Sequence, residues 1–304
     1  MIKINIRNET SQLKAVILGI GENLGGIPTL EEAYDPKSRE HILQGTFPTE
    51  EAVLSEINAF AAILEKYGVT VYRPKNIQDC NQVFSRDIGF VIDDKCIVPN
   101  ILEKRSKETE GIKHIFEQIN PEEVIFAPIN TRMEGGDVMP WNEYLFIGYS
   151  EEADFQKYEV SRTNKAGVNF LQKTFPNRTV KAFELKKSDT NAKNNALHLD
   201  CCFQPIGKNQ AIIYKGGFKN EADYQFLVNY FGKENVIEIT QHEMYEMNSN
   251  VFSISPKVIV SEQSFTRLNT ELRKRGFTVE AVTYSETSKM EGLLRCSTLP
   301  LLRK

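Results

Sequence analysis

The sequence predicts a mixed α/β fold built from five repeated modules around an axis. The first observation behind this is a phrase that recurs five times: an amphipathic helix, a short turn, then a β-branched strand. The second is its spacing. The strand valines Val71, Val124, Val180, Val236 and Val279 recur at steps of about 43 to 56 residues, the interval of repeat architectures. Strand–helix alternation alone would also suit an open doubly wound sheet. The regular recurrence favours modules around an axis.

Met1 to Arg7 alternates apolar and polar residues and lacks the long apolar stretch of a signal peptide. A first strand is expected at Ala15–Leu18. Gly19 to Thr49 is glycine-rich and charged, with Pro28, Pro36 and Pro48, and reads as a long connection and candidate lid. The first phrase then runs from the helix at Phe60–Lys66 through Tyr67-Gly68 to the strand Val69–Val71. Strands follow at Ile88–Ile92 and Cys96–Val98, and the second phrase runs from Ile115–Ile119 through Asn120-Pro121 to Val124–Phe126. Tyr144–Ile147 precedes the third, Val168–Thr174 through Pro176-Asn177 to Val180. A polar surface turn at Ser188–Asn195 and a strand at Ala211–Tyr214 lead to the fourth, Phe226–Phe231 through Gly232 to Val236-Ile237. Lys257–Val260 and Leu268–Arg275, then Gly276 and Phe277–Val279, make the fifth. No linker divides the chain, so residues 1–304 are expected to form a single catalytic domain.

The composition narrows the function classes. A chain that is 40% hydrophobic and 26% charged can bury a core and stay soluble. A net charge of -4 argues against nucleic acid or an anionic membrane as partner. It suits a small cationic ligand and is compatible with a homo-oligomer. Five cysteines at irregular spacing predict reduced thiols and a cytoplasmic location. No apolar run reaches membrane-spanning length.

Four segments could carry chemistry. In Phe84-Ser85-Arg86-Asp87, a charged pair precedes a strand; it could be a strand-end ion pair, or a carboxylate aimed into a pocket with Arg86 orienting it. In Met133-Glu134-Gly135-Gly136-Asp137, two glycines between two acids allow a tight turn that brings both carboxylates to one side. In His198-Leu199-Asp200, strand geometry would put His198 and Asp200 on one face, suited to a general acid/base beside an anion. Cys296, after Gly292 and Arg295, is a candidate nucleophile if positive charge, including that of a bound cation, favours its thiolate. His198, Asp200 and Cys201 also raise a metal reading. No metal is expected, because vicinal cysteines diverge and paired Cys-x-x-Cys spacing is absent. The glycines from Gly19 to Gly26 fit a dinucleotide fingerprint poorly, and no cofactor is expected.

Together, and in this order, Phe84-Ser85-Arg86-Asp87, Glu134-Gly135-Gly136-Asp137-Val138-Met139-Pro140, His198-Leu199-Asp200 and Arg295-Cys296 resemble the guanidino-group modifying enzymes. These comprise arginine deiminases, dimethylarginine dimethylaminohydrolases and amidinotransferases. The resemblance spans most of the chain and implies their five-module pseudo-symmetric α/β-propeller, the pentein fold. It implies Cys296 as nucleophile, His198 as general acid/base and Glu134 as the carboxylate paired with His198 or the guanidinium. Asp87 and Asp200 would hold the guanidinium nitrogens, with Asp137 and Arg86 beside them. Arg162 falls where arginine deiminases bind the substrate carboxylate, although its spacing from the Glu-Gly-Gly-Asp segment is longer. Asn250, in Asn248-Ser249-Asn250-Val251, reads as an ordinary turn, with a pocket loop as the alternative.

The second nucleophile separates the family's reactions: water gives a ureido product, an amine gives amidino transfer. The Glu134–Asp137 segment is similar to arginine deiminases and Leu293-Leu294 to dimethylarginine hydrolases, whereas Thr46–Pro74 is closer to amidinotransferases. Hydrolysis is the expected reaction, amidino transfer the alternative, and a non-catalytic guanidino-binding protein the reading from another class.

Overall fold

The computed structural model describes residues 1–304. It contains five three-stranded sheets and no larger one. Each has the same plan. An antiparallel hairpin is followed by a helix, and the chain returns to add a third strand parallel to the hairpin's second. A parallel neighbour needs such a crossover.

The connecting helices are Glu50–Lys66, Glu108–Phe116, Lys165–Thr174, Glu221–Phe231 and Thr266–Lys274. They contain or overlap the expected helical segments and extend them toward the N-terminus. Local chemistry explains several starts. Thr49 Oγ1 accepts from the Ala52 amide, and Asn164 Oδ1 from the Gly167 amide, so orphan donors of the first turn are satisfied. Gly68, Gly232 and Gly276 then take positive φ (+70°, +84° and +86°), which turns each chain from helix to returning strand.

The ring closes between sequence-distant ends. The first sheet takes its hairpin partner from Thr298–Arg303, which pairs antiparallel with Leu13–Leu18. The sequence reading lacked this strand. It also lacked Val138–Trp141, Phe203–Ile206 and Phe252–Ser255, the first hairpin strands of three other modules. These three are buried at every position, whereas the returning strands Thr70–Tyr72 and Thr179–Glu184 are largely half-exposed. The fully buried strands therefore form the inner edge of each module.

The core ties the first and fifth modules together. Phe60, on the inner face of helix Glu50–Lys66, meets Phe252 and Tyr284 edge-on, each at 5.8 Å between ring centres. Burial of a side chain this size contributes about 1.5–3 kcal/mol. Tyr284 continues the contact toward the C-terminal segment, donating its hydroxyl to Ser297 Oγ at 3.0 Å. The packing thus reaches the residue next to Cys296.

Candidate active site

The inner strands begin at Phe90, Val138, Phe203, Phe252 and Thr298. Just before them stand Asp87, Glu134 to Asp137, His198 to Asp200, Asn250 and Cys296. Each module thus supplies one loop, at the equivalent position, to the same end of the ring. Cys296 is 2% exposed and His198 1%.

Glu134 is the hub of the acidic side. Its Oε2 lies 2.8 Å from His198 Nε2 and 3.0 Å from Arg162 Nη1, and its Oε1 accepts from the Leu102 amide at 3.1 Å. Asp87 is held by Arg105, whose Nη1 donates to Oδ2 at 2.7 Å, and by the Gly136 amide, which donates to Oδ1 at 3.2 Å. His198 Nδ1 faces Asp87 Oδ1 at 3.7 Å. Gly136 makes this approach feasible: a Cβ there would fall 2.7 Å from His198 Nδ1 and 2.9 Å from Asp87 Oδ1.

Cys296 is held by different partners. Asn250 Nδ2 donates to Sγ at 3.1 Å, and Asn250 Oδ1 accepts from the Cys296 amide at 3.1 Å. Asp200 Oδ2 is 3.6 Å from the sulfur and accepts from Arg295 Nη1 at 2.8 Å. Arg295 also donates to the Gly136 and Val138 carbonyls and pairs with Glu9, so it ties the thiol's carboxylate to the Glu134–Asp137 loop.

The electrostatics divide along the same line. Burial, then Asp200 and Asp87, raise the Cys296 thiol well above its ordinary value, so the free site holds it protonated. Burial pushes the His198 imidazole down, but Asp87, Glu134 and Asp137 outweigh it and the net shift is upward. Burial likewise opposes ionisation of Glu134, yet Arg162, His198 and Arg105 draw its carboxyl well below the usual range. The site thus pairs an imidazole biased toward its cation with a thiol biased toward neutrality.

The segment of residues 19–49 meets this cluster through Tyr34. The Tyr34 carbonyl accepts from Arg162 Nη2 at 2.9 Å, and its ring faces the Arg105 and Arg162 guanidiniums at 5.7 and 5.5 Å. Helix Pro36–Leu43 follows, with Pro36 in its first turn and Asp35 Oδ1 accepting from the Ser38 amide at 2.7 Å. A cleft of about 610 Å³ lies beside this segment, bordered by Tyr34, Asp35, Asp79, Lys104, Glu108 and Met290.

Several expectations need correction. His198 and Asp200 are not in a strand. His198 is extended, and Leu199–Cys201 form a single 3₁₀ turn. Asp200 therefore turns toward Arg295 and Cys296 while His198 faces Glu134 and Asp87. Arg86 does not orient Asp87: its Nε and Nη2 reach the Arg295 carbonyl and Thr298 Oγ1, both at 3.4 Å. Arg162 spends one N–H of each Nη on Glu134 and the Tyr34 carbonyl, and its buried Nε–H has no partner, so it keeps donors for a carboxylate. Asp137 points behind the site, where its Oδ1 accepts from the Leu199 amide at 2.9 Å and fixes the His198 turn.

Arg105 was missed by sequence reasoning, because a lone arginine in a charged loop carries no local signal. The role of Asn250 was underweighted, although its place just before the fifth module's inner strand matches that of Cys296 before the first's. The metal set raised from sequence does not converge. Donor atoms of Asp87, Glu134 and His198 do lie within 4.8 Å of one another. Arg105 and Arg162 already neutralise those two carboxylates, so a metal cation would meet two guanidiniums at contact range.

A family profile described as eukaryotic N,N dimethylarginine dimethylhydrolase matches residues 37–303. A Bacillus subtilis protein of uncharacterised function, YkgA, is 30% identical over 224 residues, covering 73% of this chain and 70% of its own. Among solved structures, SxtG, an amidinotransferase of the saxitoxin pathway from Microseira wollei, superposes with a TM-score of 0.75 at 17% identity, covering 99% of this chain and 97% of that one. Pseudomonas aeruginosa DDAH, solved with citrulline, gives 0.73 at 19% identity, covering 95% and 100%. At these identities the structural likeness establishes the fold, the five-module pseudo-symmetric α/β-propeller.

Proposed function

The chain belongs to the eukaryotic N,N dimethylarginine dimethylhydrolase family, within the guanidino-group modifying enzymes, and we propose that it hydrolyses the guanidinium carbon of arginine or a related guanidino compound through Cys296. One observation carries this reading. A buried thiol in the turn before the closing strand stands 3.6 Å from Asp200, and Asp87, whose charge also acts on that thiol, faces at 3.7 Å the imidazole of a histidine–glutamate pair from two other modules.

In this reading Asp87 and Asp200 accept hydrogen bonds from the substrate's guanidinium nitrogens. Their charge, which suppresses the thiolate in the empty site, is balanced when the cation binds, and the Cys296 proton can leave. Sulfur attacks the central carbon to give a tetrahedral adduct. Glu134 holds Nε2 of His198, which leaves Nδ1 on the Asp87 side to protonate the departing nitrogen as the carbon–nitrogen bond breaks. An S-amidino-cysteine remains. The now neutral imidazole takes a proton from water, whose oxygen adds to the same carbon, and the carbon–sulfur bond breaks to return Cys296 and release a ureido product. Arg162 keeps Glu134 ionised and in place, and Arg105 holds Asp87 in position. Removing one partner of such a buried pair costs about 3–5 kcal/mol.

The family's description makes methylated arginines the first substrates to test, with arginine and shorter guanidino acids beside them. Amidino transfer differs only in the second nucleophile. Incubation of the purified protein with each compound, with and without glycine, separates the two: a ureido product independent of amine supports hydrolysis, and amidino-glycine without ureido product refutes it. Cys296→Ala is expected to abolish turnover and the mass of the trapped adduct; full turnover by this variant removes Cys296 from the mechanism.

A further inference from the structure

Glu291 departs from ordinary rules of side-chain placement. It is 5% exposed, and its backbone is left-handed at φ +57°. Long side chains seldom adopt that conformation, and such strain persists where the surroundings over-determine it, often at functional sites. Gly292 follows and packs on Phe84 so closely that a Cβ would fall 2.4 Å from the ring.

The Glu291 carboxyl meets two other segments. Its Oε1 accepts from Asn195 Nδ2 at 2.7 Å, on the loop that leads into His198. Its Oε2 accepts from the Lys37 amide at 3.3 Å, in the first turn of helix Pro36–Leu43. The Asp35 carboxyl, which caps that helix, lies beside the Glu291 carboxyl. Glu291 itself leads into the loop that presents Cys296. One side chain therefore joins helix Pro36–Leu43, the imidazole's loop and the thiol's loop.

We propose that Glu291 is a positioning residue, a latch that holds helix Pro36–Leu43 and Tyr34 closed against the arginine–carboxylate side of the site and releases them for substrate exchange. This rests on Cys296 as the reacting group. Burial beside another carboxyl disfavours the charged form of Glu291, so the closed latch holds Glu291 protonated. Burial and Asp35 hold the Glu291 carboxyl well above its ordinary 4.5. The other groups facing it are Lys37 on the helix, whose Nζ donates to the Tyr245 carbonyl at 2.6 Å, Tyr245 itself, Glu246 near Lys37, and Cys201 from the His198 turn. The sign follows from the raised value. The latch is complete below the ordinary carboxyl range and weakens as pH rises through the raised value, so opening is favoured toward alkaline pH.

Three proteins test this: the wild type, Glu291→Gln and Glu291→Ala. Glutamine keeps an acceptor and supplies a donor to Asp35 without charge. Alkylation of Cys296 by iodoacetamide, mapped by peptide mass, reads access to the thiol, because Glu291 is not among the main groups that shift Cys296. Hydrogen exchange of residues 36–43 reads the helix. Near neutral pH, Glu291→Ala is expected to be alkylated about tenfold faster than wild type, the scale of one lost buried hydrogen bond, and to exchange faster at Lys37. Glu291→Gln should stay within about twofold of wild type, and its exchange, corrected for the intrinsic rate, should lose the acceleration with pH. Equal alkylation and exchange in the alanine variant and wild type overturn the latch. Should that variant fail to fold by circular dichroism, Glu291→Gln and Asp35→Asn decide, since an unchanged pH dependence in both overturns it equally. If the latch results hold while wild type turns over no guanidino compound, the nucleophile reading fails, and what stands is the control of helix Pro36–Leu43 and of access to the thiol by Glu291.

Discussion

Asn250 grips Cys296 at two points, with its Nδ2 donating to the sulfur and its Oδ1 accepting from the cysteine's own amide, both at 3.1 Å. A side-chain amide fits because it offers a donor and an acceptor on one rigid plane. It fixes the thiol's direction without adding charge to a site already rich in carboxylates.

Asn250→Ala removes both bonds and leaves a buried amide unpaired. We expect kcat/KM for the guanidino substrate to fall by about ten- to a hundredfold, the scale of about 1–3 kcal/mol for such a loss. Steady-state kinetics on the folded variant check it, and an undiminished kcat/KM would show that Asn250 does not position the sulfur.

Asp200→Asn tests the electrostatic suppression of the thiolate. A negative charge 3.6 Å from Sγ raises the thiol, so its removal lowers the thiol's value. The pH profile of Cys296 alkylation should move toward lower pH while guanidino turnover drops, because the same carboxylate is assigned to the substrate cation. A profile that stays in place contradicts the assignment.

His198 links activity to stability. Its folded value lies above the ordinary 6.5, through Asp87, Glu134 and Asp137 acting against burial. The sign is that of a group gaining partners: its stabilisation is fully present below 6.5 and fades as pH rises through the raised value. His198→Ala should therefore abolish turnover and lower Tm more at mildly acidic than at alkaline pH. Thermal melts of both proteins across that range provide the check; a pH-independent difference in Tm would count against it.

Gly136→Ala adds one methyl at the most crowded point of the site, 2.7 Å from the imidazole. Overpacking of this kind costs about 1–3 kcal/mol and displaces what it touches. The variant should fold, as judged by circular dichroism, yet lose most of its kcat; wild-type kinetics would mean that His198 and Asp87 need no such closeness.

Much of this architecture was legible in the sequence because helices and returning strands obey simple periodicities. Helices such as Glu50–Lys66 carry one apolar face, and strands such as Val124–Phe126 are β-branched and bounded by turns. The inner strands were illegible for a physical reason. Val138–Trp141 and Phe203–Ile206 are buried on both faces, so they show no alternation, and each contains a proline. The acids, the histidine and the cysteine stood out as chemically distinctive residues in ordered segments. Their division of labour did not: whether Arg86 or Arg105 meets Asp87, and whether Arg162 meets a ligand or Glu134, depends on long-range packing.

Thr298–Arg303 completes the first sheet by pairing with Leu13–Leu18. During vectorial synthesis the strand Leu13–Leu18 must wait, half-partnered, until the distant Thr298–Arg303 emerges, and the sulfur arrives just ahead of that same closing strand. A nascent chain therefore carries its acids and imidazole long before it carries this thiol. Delivery of the sulfur and topological completion coincide in one docking event.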